Sequence, residues 1–221
     1  MIEYLYAFLL WLAGFLPSSS LGPLLAERGK GFTGARIQGA FLILSLTIIS
    51  LLRIPLHVKP VYLPQAVALG FLASLALNLG EKLFPGEKAK EKAETLEFLL
   101  RDLPLRVLLL LILAPLAEES LNRALVEGYL LIHGQFWGAI GFSALLFALP
   151  HWMAFKEAPA GEKAYITAGS FLMGLIAGYL FALSGSLLTA FAFHSSANLA
   201  GFLFSGLRKE NLPLFKSSQP P

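Results

Sequence analysis

Residues Leu105 to Leu131 read LRVLLLLILAPLAEESLNRALVEGYLL, a run long enough to cross a bilayer that nevertheless carries Glu118, Glu119, Arg123 and Glu127 inside it. A bilayer core about 30 Å thick needs about 20 apolar residues per helix. Ionisable groups at that depth cost about 2.5–3.5 kcal/mol each on insertion, so they are retained mainly where they work. With Glu118 at zero and about 100° per residue, Asn122, Glu119 and Arg123 share one flank of an α-helix. That flank must face protein or enclosed water. Glu119 and Arg123 are an i, i+4 pair with the acid on the amino-terminal side, the favourable orientation for an ion pair. Glu118 has no cation at i+4, which leaves it available as a general base. Pro115 lacks a backbone N–H and is expected to kink the helix and free carbonyl groups close to Glu118.

Outward from this stretch the chain is apolar. Of its 221 residues 56% are hydrophobic and only 14% charged, against about 25% charged in soluble domains; mean hydropathy is +0.68. This excludes a soluble enzyme, a nucleic-acid-binding domain and a disordered chain. The absence of cysteine removes disulfides, thiolate metal sites and a cysteine nucleophile. The expected fold is all-α: a polytopic transmembrane bundle of seven to eight spans. Seven spans are predicted at Tyr4–Leu16, Ile37–Leu52, Val61–Leu79, Leu105–Leu131, Gln135–Phe155, Ala164–Leu183 and Ser186–Leu207, the first two short enough to be tilted or extended by their neighbours. Met1 to Ser20 does not read as a cleaved leader, because Glu3 stands where basic residues belong.

Fourteen of the 17 Lys and Arg residues fall on one side of these spans, with only Arg53 and Lys59 on the other and Arg123 within a span. The positive-inside rule places the richer side in the cytoplasm, with the amino terminus outside and the carboxyl terminus inside. The chain is expected to be one membrane domain over residues 1–221: amino-terminal spans at 1–80, a charged cytoplasmic or interfacial helix at 81–103, site-bearing helices at 104–207 and a tail at 208–221. Residues 81–102 hold six acidic and five basic side chains, which suits a solvated surface.

Two of the four histidines also lie within spans. His151 closes the run Phe147-Ala-Leu-Pro-His151, and His194 opens His194-Ser-Ser-Ala-Asn198, whose ends share a helix face. Glu118, His151, His194 and Asn198 lie roughly 18, 8, 21 and 15 Å from the cytoplasmic ends of their helices at about 1.5 Å per residue. One cavity in the cytoplasmic half is thus expected to serve them all. His57 and His133 fall in loops and are given no role.

Glu-Glu-x-x-x-Arg, Phe-x-x-x-His and His-x-x-x-Asn, in that order on three apolar helices, resemble the CPBP family, which includes the CAAX prenyl proteases and the bacteriocin-processing and immunity (Abi-like) membrane proteins. The resemblance covers about Leu105 to Leu207. It implies an intramembrane endopeptidase acting at the cytoplasmic side of the membrane. Glu118 and His151 would activate water, and His194 and Asn198 would stabilise the oxyanion. Glu119 and Arg123 would shape the site, with Phe147 and Asn122 in support. Both a metal-free glutamate mechanism and a zinc enzyme with Glu118, His151 and His194 as ligands agree with these residues. The metal-free reading is preferred, because asparagine is a poor zinc ligand and no His-Glu-x-x-His motif is present. The implied partners are the lipid bilayer and a peptide or protein substrate, with or without a prenyl group. Two other classes remain open: a proton-coupled transporter, and a non-catalytic peptide-binding immunity or scaffold protein.

Overall fold

A computed structural model of the chain describes residues 1–25, 30–80, 103–155 and 158–207. The expected charged helix at 81–102 and the tail at 208–221 lie outside the described residues. The described part is a bundle of seven helical rods: α1 (Ile2–Leu25), α2 (Lys30–Leu51), α3 (Leu63–Gly80), α4 (residues 103–132), α5 (Phe136–Ala154), α6 (Ala160–Ser184) and α7 (Leu187–Leu207). All but α4 are continuous, and these six are long and apolar enough to cross a membrane. The first two spans are extended by their neighbours, to 24 and 22 residues. This is a polytopic, all-α integral membrane protein.

The rod α4 stands at the centre, packed against α1, α2, α5, α6 and α7. It is not one α-helix. Leu109–Leu113 and Ser120–Glu127 adopt π spacing, with α-helical Ala114–Glu119 between them. The expectation of a single 100° helical wheel is therefore corrected. Wider π turns, which occur often at functional sites, turn all eight residues of Ser120–Glu127 into the protein interior.

Pro115 explains part of this. Its missing N–H would have closed on Leu110 O in π spacing or Leu111 O in α spacing. Those two carbonyls instead accept hydrogen bonds from α7, Leu110 O from Asn198 Nδ2 (2.9 Å) and Leu111 O from Ser195 Oγ (2.6 Å). Buried carbonyls need partners, and the last helix supplies them. The proline thereby fixes the register of α7 on α4.

Close helix contacts rest on small residues, as expected where lipid leaves no hydrophobic drive between helices. A Cβ at Gly70 of α3 would sit 2.2 Å from the Phe193 main-chain oxygen of α7, and one at Gly174 of α6 would sit 3.0 Å from Ala144 Cα of α5. Because backbone must yield, Gly70→Ala is expected to destabilise the folded protein by about 1–3 kcal/mol. A lower midpoint of thermal unfolding in detergent would register this; an unchanged midpoint would refute the packing argument. The turn between α6 and α7 is set by Gly185, whose left-handed φ of 62° lets its N–H reach Phe181 O at 2.7 Å. Next to it Ser186 Oγ donates to Lys59 O (2.7 Å) and accepts from Lys59 N–H (2.9 Å), tying the α2–α3 loop to the same end. His57 serves this junction, its carbonyl accepting from Leu187 N–H at 2.9 Å.

Candidate active site

The polar residues of α4 do not occupy separate places; they form a chain of contacts. Arg123, fully buried, donates through Nε to Glu119 Oε2 (3.1 Å) and through Nη1 to Ser143 Oγ of α5 (2.6 Å) and Glu127 Oε2 (3.5 Å). Ser143 Oγ in turn donates to Glu127 Oε2 at 2.8 Å. One guanidinium thus serves two carboxylates, each at most 1% exposed. Such an arrangement is stable only when each charge keeps its partners. The expected Glu119–Arg123 pair is present. The share taken by Ser143 and Glu127 was not foreseen: Glu127 had been noted in the span without a partner, and a serine on another helix gives no sequence signal.

Glu119 looks both ways. Its other oxygen, Oε1, meets His194 Nδ1 at 2.8 Å. An ionised carboxylate only accepts, so Nδ1 carries the proton and Nε2 faces outward. Nε2 lies 3.9 Å from Glu118 Oε2. Glu118 is the less enclosed acid, its side chain 27% exposed. Its Oε1 accepts from Gln38 Nε2 of α2 at 3.2 Å, and its main-chain oxygen accepts from Asn122 Nδ2 at 2.8 Å. Glu118 has no cation at i+4, as expected; the partner of its carboxylate comes from a different helix, beyond the reach of an i+4 rule.

His151 donates Nδ1–H to Phe147 O at 2.9 Å, which leaves Nε2 as the basic nitrogen. No hydrogen bond joins it to Glu118 among the described residues. The two are linked by shared space. A chamber of about 430 Å³ is lined by Glu119, His194 and Asn198, and one of about 220 Å³ by Glu118, Asn122 and Gln38. Phe147 and His151 line both. The Phe147 ring packs edge-on to His194 (5.6 Å between centroids), lies 5.1 Å from the His151 ring, and has the Arg123 guanidinium 5.4 Å from its centre. Phe147 is therefore the wedge around which the charged groups are arranged. His133 bonds Tyr129 O through Nδ1 and stands outside this set.

Among the described residues no three or more His, Asp or Glu side chains converge as a metal-holding group. His194 gives its Nδ1–H to Glu119, which leaves Nε2 on the side of Glu118. Glu118, His151 and His194, the ligands of the zinc alternative, do not form such a group.

An apolar, membrane-type bundle thus gathers two acids, an arginine and two imidazoles around two adjoining cavities, and this is the candidate site. Residues 101–200 match the family described as type II CAAX prenyl endopeptidase Rce1-like. That match supports a membrane-embedded endopeptidase in general, with a bilayer and a peptide substrate as its partners. No curated protein and no solved structure matches the chain.

Proposed function

We propose that the chain hydrolyses a peptide bond within the membrane by a metal-free mechanism in which Glu118 is the general base. The observation that carries this is the 3.9 Å approach of Glu118 Oε2 to His194 Nε2, with His194 held from behind by a buried carboxylate. A water between Glu118 and the substrate carbonyl gives up a proton to Glu118 as its oxygen attacks. His151, with Nε2 free, helps hold that water. His194 as an imidazolium donates from Nε2 to the oxyanion, and Asn198 adds its second N–H, the first being used on Leu110 O. Glu119 and Arg123 hold the imidazole in place.

In this reading the amino terminus is outside and the carboxyl terminus cytoplasmic, as the Lys and Arg distribution directs, and cleavage occurs at the cytoplasmic side. The substrate is a peptide near the membrane surface. Screening purified protein against peptides that end in a CAAX sequence, with and without a farnesyl group, tests the activity and its prenyl dependence together. Cleavage of the farnesylated form alone would define a prenyl-dependent enzyme. Failure to cleave any member, with pH-dependent solute flux in proteoliposomes, would favour transport instead.

The metal-free reading carries its own test. Protein treated with a chelator and passed through metal-free buffer is expected to retain full cleavage, with zinc well below one equivalent by elemental analysis. Stoichiometric zinc whose removal abolishes cleavage, and whose return restores it, would overturn the mechanism.

A further inference from the structure

Part of the smaller chamber is built by helices outside the family match. Its apolar wall includes Trp11 and Phe15 of α1 and Phe41 of α2; its polar end is Gln38, Glu118, Asn122 and His151. Both amides there are oriented by chemistry. Each gives its NH2 to an oxygen that only accepts, Gln38 to the Glu118 carboxylate and Asn122 to the Glu118 main chain. Each is then left with its oxygen buried and unpaired. Trp11 Nε1 is a buried donor in the same state. Among the described residues six buried side-chain polar atoms have no partner, and three of them belong to residues lining this one chamber.

Unpaired buried polar atoms call for a partner. Water is a partner whose chemistry suits each of them, since it can donate to an amide oxygen or accept from an N–H. At about 30 Å³ per molecule, a chamber of about 220 Å³ has room for more than one.

We propose that this chamber stores the water used in hydrolysis, and that Gln38 both orients Glu118 and holds that water. The inference rests on Glu118 acting as general base. By tying Oε1 of Glu118, Gln38 leaves Oε2, the oxygen that faces His194, as the base. One O–H of the water points at Glu118 Oε2, and the other is shared between Gln38 Oε1 and His151 Nε2. In the reaction the water oxygen bonds to the carbonyl carbon and its proton passes to Glu118. That proton leaves on the amine nitrogen as the C–N bond breaks. One water is consumed per bond cut, and the chamber refills the position.

The test uses the full chain in detergent with a fluorescence-quenched farnesylated CAAX peptide and its unprenylated counterpart. Gln38→Leu, which keeps the shape and removes both hydrogen bonds, is expected to lower kcat by about 100-fold while KM stays within about twofold of the parent. Trp11→Phe, which removes only the N–H, should lower kcat in the same sense by a smaller factor. In an experimental structure, ordered water within hydrogen-bond distance of Gln38 Oε1 is expected in the parent and absent in Gln38→Leu. A Gln38→Leu protein with parental kcat, a loss confined to KM, or a dry chamber in the parent would each overturn the proposal. Should Gln38→Leu fail to fold, Trp11→Phe and the water density decide alone. A Glu118→Gln control separates the two levels: if it cleaves normally, the base assignment falls and this inference with it. If it is inactive while Gln38→Leu is unimpaired, only this inference falls.

Discussion

Glu118→Gln is expected to give a folded protein whose cleavage rate is lower by about 10²- to 10⁴-fold, the range that general acid–base groups supply. The glutamine fills the same space and retains an oxygen for Gln38, but it cannot take a proton from water. Folding should survive because Glu118 is partly exposed. Glu119→Gln is expected to differ in kind. That carboxylate is 1% exposed and bonded to both Arg123 and His194, so its neutralisation should lower the unfolding midpoint as well as the rate. Adjacent glutamates would then separate into one that reacts and one that supports. The measurement is a paired determination of kcat and thermal midpoint for each variant. Parental kcat in Glu118→Gln would end the proposed mechanism. Equal losses of midpoint in the two variants would end the division of roles.

What could be read beforehand divides along physical lines. Apolar runs and a few intramembrane charges sufficed for the bundle, since hydropathy measures what lipid demands of a helix, and the i, i+4 rule sufficed for Glu119 with Arg123. The π turns of α4 were invisible to it. Their cause is partly Pro115, which was noticed, but a sequence does not say which carbonyls a proline releases or that Ser195 and Asn198 will take them. Gln38 was missed for a related reason. A single amide at residue 38, among neutral neighbours in a region with no motif, gives no periodic signal, and only tertiary packing brings it within 3.2 Å of Glu118. Ser143 was hidden in the same way. The contacts that local rules found lie within one helix, and those they missed cross between helices, except Arg123 with Glu127, which share α4.

Arg123→Met is expected to be the most damaging single change to the fold, with a loss of about 3–5 kcal/mol, the magnitude for removing one member of a buried charge group. Methionine fills much of the same volume, so the effect isolates charge and hydrogen bonding from packing. Without the guanidinium, Glu127 is left fully enclosed with no counter-charge and Glu119 keeps only His194. Ser143 alone cannot satisfy both, since it has a single O–H to donate. Arg123→Lys should recover only part of the loss. Its single ammonium lacks the planar fork with which Arg123 meets Glu119 through Nε and Ser143 through Nη1 at the same time. The informative variant is the double change Arg123→Met with Glu127→Gln. It removes one of the two stranded charges, so it should be more stable than Arg123→Met alone, while Glu119, still ionised and still bonded to His194, continues to destabilise it. Unfolding midpoints in detergent for the three proteins supply the comparison. If the double variant is no more stable than the single one, Glu127 does not draw its place in the interior from Arg123, and the charge chain from Glu127 through Arg123 and Glu119 to His194 is not a unit.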